Sequence, residues 1–369
     1  MQVAVLKETA ARENRVALSP ESAGRLVKSK VDVVVQRGAG ERAGFPDDTY
    51  EKLGVRLGDD APATCAGAQI VLKVQPPAAD QVAIFTPESV LVSLLQPGQL
   101  APLTQQLAER GVTALALELV PRITRAQSMD VLSSQSTVVG YKAVLIGASE
   151  LGKFLPMLTT AAGNIQPARV FVIGAGVSGL QAIATARRLG GVVSAFDVRP
   201  VAREQVLSLG ATFVAPDAVS VTAETSAGYA RAQTDEEHAN TLKAIAAHVK
   251  DVDLVITTAQ IPGRPAPRLI PEAVVRSMRP GAVIVDLAAE NGGNCELTRA
   301  GETVRAHGVT VLAPMNLAST VPFHASQMFS RNVLALLHHL IGKDGALTID
   351  PNDEITGAML VTHAGKVVR

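Results

Sequence analysis

Gly174, Gly176 and Gly179 follow the apolar run Val170 to Ile173 in the spacing G-x-G-x-x-G, a pattern that binds phosphate through backbone alone. The first glycine permits a tight turn, the second lets a pyrophosphate approach, and the third lets a helix pack close to the strand. That helix then turns its N-terminal N–H groups and the positive end of its dipole toward the anion. A second apolar run, Val192 to Phe196, ends at Asp197, whose carboxylate can accept hydrogen bonds from an adenine ribose and repel a 2′-phosphate. The stretch from Arg169 to Pro200 therefore reads as strand, turn, helix, strand and acid in register. It is a dinucleotide site favouring NAD(H) over NADP(H), and Arg199, a cation two residues past the acid, weakens that preference.

Other residues with chemistry to offer lie upstream. Arg122, Gln127, Asp130 and Ser133 place one fixed cation, one amide, one carboxylate and one hydroxyl in a polar stretch between Glu118 and Gly140. Such a set can orient a nicotinamide carboxamide and its ribose, because an amide needs both donors and acceptors. A solvated connector has the same composition. Lys7, Glu8, Glu13 and Arg15 sit beyond the first strand and Lys73 ends another, so a cationic anchor for a carboxylate is also conceivable. The earliest histidine is His238, which counts against a histidine acid or base in the first half. His338 and His339 are adjacent and point in different directions on a helix, so they are not a metal pair.

These residues need a scaffold, and strand and helix patterns alternate through most of the chain. Before the polar stretch, strands are expected at 3–6, 31–36, 68–75, 89–95 and 112–117, with helices near 19–28, 45–53 and 102–110. A helix is expected from Val138 to about Leu155. After Asp197 come helices at 202–209, 240–249 and 271–278 and strands at 211–214, 253–257, 282–286 and 309–313. A long amphipathic helix from His324 to Leu340 and further short segments complete the chain. The pattern predicts two Rossmann-like α/β domains with doubly wound parallel sheets separated by a cleft. Residues 1–133 plus 325–369 form the first, completed by the later segment, and 134–324 form the nucleotide domain. In such a protein the reactive end of a dinucleotide falls in the cleft. Residues 217–239 are small, polar and acidic, which reads as a mobile surface loop around Gly228 and Tyr229 or as an ordinary disordered insertion.

Composition sets the outer bounds. The 369 residues are 47% hydrophobic and 18% charged, enough for two cores, with 34 basic against 34 acidic side chains. A neutral balance leaves no electrostatic footprint for nucleic acid or an anionic membrane surface. Cys65 and Cys295 have no metal-ligand spacing and read as buried thiols in a reducing compartment. No signal peptide and no apolar run long enough to cross a membrane are visible.

Three stretches, KETAARENRVALSP, PRITRAQSMDVLSSQS and IGAGVSGLQAIATARRLGGVVSAFDVRP, together resemble the NAD(H)-binding alpha subunit, the soluble domain I, of proton-translocating NAD(P) transhydrogenase. The resemblance implies that Gln127, Arg122, Asp130 and Ser133 surround the nicotinamide and have the catalytic roles. Ile123, Thr124, Val177, Val198, Arg199 and Ala259 would join the glycines and Asp197 in holding the dinucleotide. Gly228 and Tyr229 fall where that family has its mobile loop. It further implies a homodimer, NADP(H) bound on a partner, membrane-embedded partner subunits that couple hydride transfer to proton translocation, and peripheral association with the inner face of the cytoplasmic membrane. Alanine dehydrogenase is a relative and the alternative reading. Arg15 and Lys73 match its pyruvate ligands, whereas Gln96 stands in place of its catalytic histidine and Glu290 in place of the aspartate of its DQGG turn. Glutamine has no titratable proton, so a keto acid bound here would lack its acid.

Overall fold

The computed structural model describes residues 1–215, 234–261, 264–342 and 344–369. Tyr229, Gly228 and most of the expected mobile loop lie outside the described residues. The chain divides into two compact units, Met1–Gln135 with Ala318–Arg369, and Ser136–Leu317.

Among the described residues, the first unit is built on an eight-stranded sheet. Its strands lie in the order Lys366–Val367, Leu360–His363, Thr113–Ala116, Val90–Ser93, Ile70–Leu72, Gln2–Val5, Asp32–Gln36, Arg56–Gly58. From Thr113–Ala116 onward all neighbours are parallel. The short runs IVL, VLVS and TALA are wholly buried, as strands covered on both faces must be. On one face pack Tyr50, Leu26 and the helix Pro322–Leu340, whose Phe329, Val333, Leu336 and Leu337 are fully buried. Phe85, Leu91 and Leu107 belong to the core of the other. The unit is thus closed by residues that follow the whole second unit in sequence.

Ser136–Leu317 carries a seven-stranded sheet among the described residues. Its order is Thr212–Phe213, Val192–Phe196, Arg169–Ile173, Leu254–Thr257, Val283–Asp286, Val309–Leu312, Thr303–Ala306. Numbered along the chain, the parallel strands run 3-2-1-4-5-6, the doubly wound order. The direction of winding reverses between Arg169–Ile173 and Leu254–Thr257, and ligands of such sheets bind outside the carboxyl ends of the strands at this point. Separate apolar cores cover the two faces.

Several expectations are corrected here. Each sheet is mixed, not purely parallel: Leu360–His363 pairs antiparallel with Thr113–Ala116, and Thr303–Ala306 forms an antiparallel edge beside Val309–Leu312. The expected strand at 346–350 is a single bridge from Ile341 to Leu347. The helix expected from Val138 begins at Val131, because the Asp130 carboxylate accepts the Ser133 N–H at 2.9 Å and caps it. The last part of the expected loop is helical, since Thr234 and Glu237 form a reciprocal capping box and Asp235–His248 is a helix with three acids in its first turn. A two-stranded hairpin, Leu158–Thr160 with Gly163–Ile165, was not anticipated. The units divide at 135/136 and 317/318, compared with the expected 133/134 and 324/325. Asn14 N–H donates to Ser319 Oγ at 2.7 Å and the Gln135 amide donates to Ala325 O at 3.1 Å, tying both segments to the first unit.

Candidate dinucleotide site

Gly174 ends the strand Arg169–Ile173 with φ +95°, a conformation that side chains rarely adopt. A Cβ at Gly179 would lie 1.8 Å from the Gly174 carbonyl oxygen, so the helix Val177–Arg188 reaches its position only with glycine there. No side chain caps that helix, and a Cβ added at Gly176 would meet nothing within 4 Å. The turn therefore offers N–H groups at a helix N-terminus beside open space, which fits a pyrophosphate.

The rest of the turn is held by hydrogen bonds from three neighbouring strands. Asp197, 6% exposed, accepts the Ala175 N–H at 2.7 Å on Oδ2, so the acid braces the glycine turn as well as facing the site. Thr258 Oγ donates to the Gly174 carbonyl at 2.9 Å, and the Thr258 N–H to that of Ile173 at 2.8 Å. Ala259 is clasped on both sides: its N–H donates to Asn294 Oδ1 at 3.1 Å and its carbonyl accepts Asn294 Nδ2 at 2.9 Å. Asn294 is fully buried and donates to Pro267 O as well. Asp286, also fully buried, accepts from Thr257 Oγ, the Ala288 and Cys295 N–H groups and Thr298 Oγ. Sequence reasoning found Ala259 and missed Thr258, Asn294 and Asp286. Their polar side chains beside a strand end were the available signal. Val198 is half-buried beside Asp197, while Val177 is exposed at the helix start.

In the first unit, Thr124–Met129 is a 3₁₀ turn anchored by buried Ala126 and Met129, leaving Arg122, Thr124 and Gln127 exposed and Ile123 half-buried. Asp130 and Ser133 are brought together, with Ser133 Oγ donating to Asp130 Oδ2 at 2.7 Å. The turn is held from far along the chain. Asn332 Nδ2 donates to Ser128 O at 2.8 Å, and Arg125 pairs with Asp353 at 2.8 Å. Asp353 also caps the helix Glu354–Met359 and contacts His339 Nε2 at 3.0 Å. Burial works against its charge, but these donors hold its carboxyl well below the usual range.

A second charged group is buried in the same unit. Arg15, 4% exposed, donates to both oxygens of Glu13 at 2.8 and 2.7 Å and to Gln135 at 2.8 Å. Burial alone would raise the Glu13 pKa, yet Arg15 outweighs it and the group sits at about 2. Lys73 lies 3.3 Å from Glu8, whose pKa burial raises in spite of that partner. The cations expected to anchor a carboxylate thus already face carboxylates of the chain. Gln96 is exposed, with φ +47°, and its N–H donates to the Glu118 carboxylate. Glu290 accepts the Asn316 N–H at 2.7 Å. Cys65 and Cys295 are buried, and burial pushes both thiols up to about 11. Among the described residues no cluster of three or more His, Cys, Asp or Glu is placed to hold a metal, and no helix is long and apolar enough to cross a membrane.

A doubly wound sheet with an uncapped glycine turn and a carboxylate at its switch point, on a chain with a second parallel α/β unit, defines a two-domain protein of the dinucleotide-binding class. Residues 4–139 match the alanine dehydrogenase/PNT N-terminal domain and residues 143–369 the alanine dehydrogenase/PNT C-terminal domain. The chain belongs to the alanine dehydrogenase/PNT family, whose members are NAD(P)-binding transhydrogenases and dehydrogenases. It is 44% identical to an NAD(P) transhydrogenase subunit alpha chain of Rhodospirillum rubrum, over 100% of this chain and 98% of that one. It is 31% identical to alanine dehydrogenase of Halomonas elongata, covering 100% of this chain and 94% of that protein. The crystal structure of transhydrogenase from Sinorhizobium meliloti superposes with a TM-score of 0.88 at 42% identity, covering 100% of this chain and 99% of that one.

Proposed function

We propose that the chain is the NAD(H)-binding alpha subunit of a proton-translocating NAD(P) transhydrogenase, and that it presents NADH for direct hydride transfer to NADP⁺ on a partner domain. The glycine turn would take the pyrophosphate, Asp197 the adenine ribose, and Gln127, with Arg122, Asp130 and Ser133, the nicotinamide end. Ile123, Thr124, Val177, Val198 and Ala259 line the same path in this reading. Hydride transfer between two nicotinamide rings moves no proton, so the protein contributes orientation and proximity and needs no acid or base. The observation that carries the reading is Gln96, an amide where reduction of a keto acid would require a proton donor. The Arg15–Glu13 and Lys73–Glu8 pairs support it, since both cations are already neutralised.

The partner would hold NADP(H) and the membrane segments that translocate protons, leaving this chain peripheral on the inner face of the cytoplasmic membrane. A homodimer belongs to the same reading. The exposed hairpin at 158–165, with Ile165 on it and Phe154 and Met157 just before it, supplies an apolar surface that a second copy could cover. The deciding measurement is stopped-flow hydride transfer from NADH to an NADP⁺ analogue, with and without a soluble NADP-binding domain of a transhydrogenase, and with pyruvate plus ammonia as a parallel acceptor. Rapid transfer only with the partner is expected. Oxidation of NADH by pyruvate and ammonia alone would make the protein an alanine-dehydrogenase-like amino acid dehydrogenase.

A further inference from the structure

An ionised carboxylate offers about four lone-pair positions to donors, and around Asp197 four N–H groups fill them. Oδ2 accepts the Ala175 N–H at 2.7 Å and Arg199 Nη2 at 2.9 Å. Oδ1 accepts the Arg199 backbone N–H at 2.8 Å and Arg199 Nε at 3.0 Å. The two backbone donors are fixed by the fold. The two guanidinium donors belong to a side chain 15% exposed, which a rotamer change can withdraw. A ribose diol needs two acceptor positions, and those are the ones the guanidinium holds.

We propose that Arg199 is a specificity-determining residue that competes, from within the chain, for the carboxylate assigned to the adenine ribose; this rests on the nucleotide reading of the site given above. Two consequences follow from the exchange. The pairing of Arg199 with Asp197 lowers the apparent affinity for NADH by the fraction of time the carboxylate is occupied. Once displaced, the guanidinium remains tethered two residues from Asp197, where it can meet a 2′-phosphate and offset the repulsion that the carboxylate exerts on NADPH. Arg199 thus weakens binding of the unphosphorylated nucleotide and eases that of the phosphorylated one.

The test is titration of NADH and NADPH into the whole chain, wild type, Arg199→Met and Arg199→Lys, with thermal unfolding followed in parallel. Arg199→Met removes the competitor and the cation together. Its Kd for NADH should fall about threefold to tenfold while that for NADPH rises, so the preference for NADH widens. Arg199→Lys keeps a cation without the planar fork and should also bind NADH more tightly, with less effect on NADPH. If Arg199→Met does not unfold cooperatively, the lysine variant decides the matter on its own. An NADH Kd unchanged or raised in the folded variants overturns the inference, because the guanidinium would then be a ligand of the nucleotide and not its rival. A folded wild-type chain that binds neither nucleotide is a different result, one that removes the nucleotide reading itself.

Discussion

At the scale of single residues, the two halves of the proposed site make separate demands. Asp197 is a buried charge that both braces the glycine turn and faces the ribose position. Asp197→Ala should raise the Kd for NADH about tenfold to a hundredfold or abolish the preference over NADPH, as loss of a charged hydrogen bond predicts. Equilibrium titration of both nucleotides checks this, and unchanged values for both would remove Asp197 from the ribose. Gln127 is exposed on its turn and anchored only through its backbone neighbours. Gln127→Asn keeps the amide and shortens its reach, so it should slow hydride transfer about tenfold or more while changing NADH binding far less. Equal losses in the two measurements would leave Gln127 as a binding residue only.

At the scale of elements, the 3₁₀ turn Thr124–Met129 depends on partners more than two hundred residues away, Asn332 and Asp353. Asp353 both caps a helix and pairs with Arg125, and two substitutions separate these roles. Asp353→Asn keeps a capping oxygen and loses the charge, so its Tm should stay near wild type while hydride transfer falls about threefold. Asp353→Ala should lose stability too, by about 1 kcal/mol. Thermal melts with stopped-flow rates on both proteins distinguish them, and a normal rate in Asp353→Asn would mean that the turn holds itself. This dependence also marks the limit of sequence reading. The glycine fingerprint, its two strands and Asp197 are legible because their chemistry repeats at short, fixed spacing. Asn294, Thr258, Asn332 and Asp353 act on backbone far along the chain, and nothing in their neighbours announces it. The Thr234–Glu237 capping box was there to be read, but the polar composition around it favoured a loop. The hairpin at 158–165 carries no signal, since its strands are exposed and alternate nothing. Thr303–Ala306 buries no residue fully and so lacks the apolar run of its parallel neighbours.

For the molecule as a whole, acid sensitivity should originate in the first unit. Glu13 has its pKa lowered from 4.5 to about 2 by Arg15 against the effect of burial, so the folded state favours the charged form. The stability this contributes is complete above about pH 4.5 and is lost as the pH falls toward 2. Glu8 works in the opposite sense, because burial raises its pKa and protonation relieves it. Glu13→Gln should therefore cost about 3 kcal/mol at pH 7, as breaking a buried pair does. The difference in Tm between the two proteins should narrow between pH 4.5 and 2, and a constant difference across that range would show that Glu13 acts by packing and not by charge. The discontinuity of the first unit has a further consequence, one for synthesis. Residues 318–369 leave the ribosome after Ser136–Leu317 is already complete, and domains fold as units during translation. The nucleotide unit is therefore free to finish first. Meanwhile the earlier unit waits with Thr113–Ala116 as an unpaired edge and without Phe329, Val333 and Leu337 to cover its sheet. A nascent chain stalled near Leu317 should be a chaperone client through its oldest residues, not its newest.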